Sequence, residues 1–148
     1  MTDDPLPNSP EHHVLLHPAF GDHQVANISA DVEARTIGAS AYRPALDPGR
    51  SPDVMPLFGI PDALPGHTGS AIVYWDGGPP GRMVEGQERG TPPPPTANVP
   101  PRDGKDPHSY PRADQKSWQQ KSDFLSIGGT LTNPCGLGPC YADGYTGP

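Results

Sequence analysis

Two side chains in this sequence have the types and settings that acid–base chemistry needs: Asp22, in AFGDHQV, and His108, in KDPHSYP. An imidazole with a pKa of about 6.5 can take a hydroxyl proton at neutral pH and return it to a leaving group. It does so when a carboxylate fixes its tautomer and stabilises the imidazolium. Asp22 is the candidate for that carboxylate and His108 for the base. Each has a plainer use. Asp22 precedes a helical pattern and is of the type that caps helices, a role that contributes about 1 kcal/mol. His108 read alone is an exposed loop histidine.

Two other clusters carry possible chemistry. His12, His13, His17, Asp22 and His23 lie within a dozen residues, and on a strand His13 and His17 point the same way, so a divalent metal site is a second reading. Against it, His12 and His13 face opposite sides of such a strand, and the chain has no CxxC pair and no second cluster. No cofactor motif is present either. Cys135 and Cys140 enclose two glycines and a proline in CGLGPC. Turn formers in so small a ring can bring both sulfurs together. A disulfide is expected in an oxidising compartment, and two free thiols in a reducing one.

The elements that would position these groups begin with residues 12–39. Val14, Leu15 and Leu16 form a short apolar run stopped by Gly21, which suits a strand buried on both faces at 14–19. Val25, Ile28, Val32 and Ile37 then recur at roughly helical spacing ahead of Gly38, predicting a helix over 25–37. Asp22 sits at the corner between them, where α/β folds gather ligand and catalytic groups. Residues 40–68 carry a proline every few positions and read as a long loop, with Met55, Leu57, Phe58 and Ile60 packing it down. SAIVYW, residues 70–75, is the second strand, with Ala71, Val73 and Trp75 on one face and Ile72 and Tyr74 on the other. Residues 78–106, with the run Pro92, Pro93, Pro94, Pro95, read as a stiff spacer. His108 follows, then a helix over 114–125, where Trp118 and Leu125 lie at helical spacing before Gly128.

Composition limits what such a chain does. The 23 Pro and 18 Gly of 148 residues exceed a quarter, and hydrophobic residues are 32%. That composition cannot easily offset an ordering cost of about 1–2 kcal/mol per residue. The chain is therefore expected to be part of something larger, or an extended protein ordered by a partner. A net charge of −7 with 10 Lys and Arg gives no basic stripe, which argues against nucleic acid. No apolar segment reaches the length of a membrane span, and MTDDPLPNSPEHH lacks the regions of a signal peptide, so localisation is left open.

Strand, Gly-Asp turn, helix, loop, strand, His-bearing loop and final helix is the order of the last third of the α/β-hydrolase fold, which residues 12–125 resemble. GDHQV is similar to the turns that hold the acid in that family. The resemblance implies an incomplete α/β-hydrolase-like parallel sheet with long Pro/Gly-rich loops, preceded by an acidic leader at 1–11, spanning 12–127 and followed by a Cys-bearing tail at 128–148. It implies Asp22 as triad acid, His108 as base, and action on ester or peptide bonds. The family's triad runs nucleophile, acid, histidine along the chain, and none of the nine serines lies in a Gly-x-Ser-x-Gly elbow. The nucleophile is therefore expected from a preceding hydrolase portion, and the chain alone is expected to be inactive. The remaining alternatives are a Pro-rich interaction protein ordered by its partner and a His-rich metal-binding module.

Overall fold

The computed structural model describes residues 4–64 and 66–148. Its centre is the SAIVYWD segment. Ala71–Ile72 (β3) lies between Leu15–Leu16 (β1) and Ser40–Ala41 (β2) and runs parallel to both, with Leu15 and Ser40 each in register with Ala71. Backbone bonds carry the β1 side further than those two residues. Ala71, Val73 and Trp75 donate to Val14, Leu16 and Pro18, and Phe20 donates back to Trp75, all at 2.8–3.0 Å. Past β3 the chain becomes Trp75–Asp76 (β4), which exchanges β2 for a new parallel partner, Cys140–Tyr141 (β7). The two strands expected at 14–19 and 70–75 are thus parallel neighbours.

Side-chain alternation along this segment divides the interior in two. Ala71, Val73 and Trp75 pack with Tyr42, Tyr110, Leu131 and Cys140, while Ile72 and Tyr74 pack with Phe20, Ala34, Ala41, Leu57 and Ile60. Burying an aliphatic or aromatic side chain of this size stabilises a fold by about 1.5–3 kcal/mol. The segment is therefore the chain's main anchor.

The helix over Asn27–Thr36 (α1) leads from β1 to β2, not directly to β3, so the crossover through it spans β3. Its inward face also differs from the pattern read in the sequence. Asn27, Asp31 and Ala34 point in, whereas Val25 and Val32 are half exposed. Buried polar groups demand this arrangement, because each needs a partner. Tyr74 Oη donates to Asp31 at 2.7 Å, and Asn27 takes the Gly21 N–H and donates to the Ala19 carbonyl, both at 2.8 Å.

The segment read as a continuous loop after α1 contributes β2, a bridge from Ala41 to Asp62, and the buried residues Ala45, Leu57 and Ile60, while Met55 and Phe58 stay exposed. It also delivers Arg50, which forms a buried two-pronged ion pair with Asp76 at 2.8 and 3.1 Å and donates to the Gly78 and Thr91 carbonyls.

Arg82–Val84 (β5) and Gln87–Arg89 (β6) form an antiparallel hairpin within the region read as spacer. Arg82, Arg89 and Lys105 converge from there on Asp143, in the tail. Tyr110–Ala113 (α2) leads into Gln115–Leu125 (α3), capped by Asp114 through the Lys116 and Ser117 N–H groups. The inward residues of α3 are Ser117, Gln120 and Phe124, and Trp118 and Leu125 face out.

The architecture is three small sheets of two or three strands with few helices, and among the described residues no α/β-hydrolase fold is clear. No helix among them is long and apolar enough to cross a membrane.

Candidate acid–base site

The corner after β1 is built to hold Asp22 still. Gly21 has φ +78°, and a Cβ there would lie 2.7 Å from the Thr91 methyl and 2.8 Å from the Pro92 carbonyl, so only glycine allows the 91–92 segment to pass so close. Thr91 Oγ1 lies 3.3 Å from the Gly21 carbonyl oxygen and 3.3 Å from His23 Nε2. Asp22 follows, buried at 6% exposure.

Its two carboxylate oxygens have separate tasks. Oδ1 accepts the N–H groups of Gln24, at 2.7 Å, and Val25, at 3.1 Å, which orders the turn into α1. Oδ2 lies 2.8 Å from His108 Nδ1. Asp22 does not cap α1, whose N-cap is Ala26 and carries no side-chain cap bond; it orders the turn ahead of the helix and holds a histidine 86 positions away with the same carboxylate.

His108 is brought there by a strap. Pro107 is buried, its carbonyl accepts the Tyr110 N–H at 2.8 Å, and Asp106 Oδ1 accepts the His108 N–H at 2.9 Å. A carboxylate facing Nδ1 requires the proton on that nitrogen, which leaves Nε2 as the acceptor. The His108 side chain is 28% exposed, and among the described residues its ring bonds Asp22 alone. This is an imidazole oriented from behind and open in front, able to take a proton from a hydroxyl brought to Nε2.

The other candidates go elsewhere. His12 and His13 are exposed, with His13 3.2 Å from Glu11, and His23 turns to Thr91. His17 is held inside, 3.0 Å from Ser117 Oγ, with its ring against Trp75. Burial, assisted by the Lys121 charge and opposed by Gln120, pushes its pKa down to about 4. Among the described residues no three His, Cys, Asp or Glu side chains gather as a metal site. Ser117 with His17 is a hydroxyl–imidazole contact, but Ser117 is fully buried and His17 has no carboxylate partner among the described residues, so it is a packing contact. Cys135 and Cys140 form the disulfide expected of them, with Cα atoms 5.1 Å apart.

Sequence reasoning did not single out Thr91, Arg50 or Asp106. No local pattern distinguishes them, since each acts on residues more than 25 positions away. No protein-family model matches the chain, and no curated protein or solved structure does, so the reading of this site rests on its own geometry.

Proposed function

We propose that this chain supplies the acid, Asp22, and the general base, His108, of a serine-hydrolase-type triad, as the C-terminal part of an α/β-hydrolase superfamily protein acting on ester or peptide bonds. The observation that carries the reading is the 2.8 Å contact between the buried Asp22 carboxylate and His108 Nδ1, made at the end of a parallel strand pair. Asp22 holds the tautomer and balances the imidazolium, and His108 Nε2 takes the proton of the attacking hydroxyl and gives it to the leaving group. The hydroxyl and the oxyanion donors come from the nucleophile-bearing portion that this chain complements.

The test expresses the full reading frame that contains this chain and exposes it to a fluorophosphonate probe and to p-nitrophenyl esters. Expected are labelling of a serine in a Gly-x-Ser-x-Gly outside residues 1–148 and a fall in kcat of at least about 10³-fold for His108→Ala and Asp22→Asn. A frame without a reactive serine, or undiminished turnover in both variants, overturns the reading.

A further inference from the structure

Asp106 sits where the His-bearing strap meets the acid-bearing turn, and its carboxylate joins them. Oδ1 accepts the His108 N–H at 2.9 Å and the His23 N–H at 3.4 Å, while Oδ2 accepts the Gln24 side-chain amide at 2.9 Å. Two of these three donors belong to the residues that directly follow Asp22, His23 and Gln24, and the third is the backbone of His108 itself. An Asp that merely shaped its own turn would bond the residue two positions on and nothing else. The other two bonds cross more than 80 positions of chain.

We infer that Asp106 is the positioning residue of the Asp22–His108 pair, a clamp that sets the distance between carboxylate and imidazole by binding the backbone of His108 and the two residues that follow Asp22. The assignment rests on the acid–base reading above. Neither carboxylate substitutes for the other, because at His108 Asp22 bonds the ring and Asp106 bonds the backbone that carries it. Hydrogen bonds to an ionised carboxylate are about twice as strong as neutral ones, which suits a clamp at the protein surface. Asp106 also titrates below the ordinary carboxylate range. Partial burial acts to raise it, and the Gln24 amide and the His108 and His23 N–H groups outweigh that.

The experiment follows the His108 Hδ1 proton by NMR in the 148-residue chain, using its low-field resonance and its exchange rate with water. The variants are Asp106→Ala, Asp106→Asn, Gln24→Ala and Asp22→Asn. Asp106→Ala is expected to speed exchange at least about tenfold. Asp106→Asn, which keeps an oxygen for the two N–H groups, is expected to recover most of the protection. Gln24→Ala, a change at an exposed side chain, removes one arm of the clamp and should speed exchange two- to threefold even where Asp106→Ala impairs folding. Wild-type exchange in Asp106→Ala and Gln24→Ala overturns the clamp. Loss of protection in Asp106→Asn equal to that in Asp106→Ala also overturns it. An Hδ1 resonance unchanged in Asp22→Asn instead overturns the pair itself, so the two failures are separable.

Discussion

Asp22 Oδ2 stands 2.8 Å from His108 Nδ1 while Oδ1 of the same carboxylate holds the N–H groups of Gln24 and Val25, so one side chain fixes both the entry to α1 and the ring of a residue far along the chain. Asp22→Ala removes both and should cost about 1–3 kcal/mol of unfolding free energy, since it strips the turn of its side-chain acceptor and leaves part-buried donors unpaired. Asp22→Asn keeps an oxygen for the turn and should cost less. Urea denaturation at pH 7 separates the two, and equal losses would show that the turn bonds contribute little.

The chain should weaken in mild acid through His17. Its folded pKa, pushed down to about 4 by burial, lies below the value of about 6.5 for an exposed imidazole, so the folded protein binds this proton more weakly than the unfolded chain. The contribution is whole above about pH 6.5 and is lost as pH falls toward 4, reaching an order of 3 kcal/mol below both values. Melting temperatures of the wild type and His17→Gln between pH 7 and 4 check this. The wild type should fall more steeply, and parallel curves would refute it.

Arg50 and Asp76 are 7% and 0% exposed at their side chains, with no water to replace a missing partner. Arg50→Met should therefore destabilise by about 3–5 kcal/mol, because it strands a buried carboxylate. Adding Asp76→Asn should recover part of that loss. Guanidinium unfolding of the single and double variants reads the difference directly.

Reduction of Cys135–Cys140 should cost at most about 2 kcal/mol, the entropy of so short a loop. Alkylation and mass measurement should find no free thiol before reductant and two after it. The His108 Hδ1 resonance should persist in the reduced protein, since neither cysteine touches the site.

What the sequence made legible was local. The alternation from Ala71 to Trp75 placed each side chain on its face because strand periodicity is independent of partners. Gly21 marked the end of the strand and Gly38 the end of the helix through the positive φ they adopt. The face of α1 was misread because its valines follow a helical period while its inward positions are polar, Asn27 and Asp31, chosen by a tyrosine hydroxyl and a strand end that lie elsewhere in the chain. β2 and β7 are two residues each, too short for any period, and exist because β3 and β4 offer edges to pair with. Asp22 and His108 were named from their neighbours in sequence. Asp106, Arg50 and Thr91, which hold the surrounding backbone, could be found only in three dimensions.

Between Gly90 and Gly104 the chain runs from the buried Thr91 and Pro94 out to an exposed turn and returns to its point of departure. The Lys105 N–H bonds the Gly90 carbonyl at 3.2 Å, and Gly104 lies against that same carbonyl so closely that a Cβ would come within 2.8 Å of it. The excursion is closed at its neck. Doubling the length of such a closed loop costs only about 0.6 kcal/mol, and residues 95–99 at its outer turn are exposed. The proline-rich stretch is thus a permissive seam: extra residues, a reporter peptide or even a small folded insert placed at 97–99 would lengthen the path from acid to histidine without lengthening the distance between them.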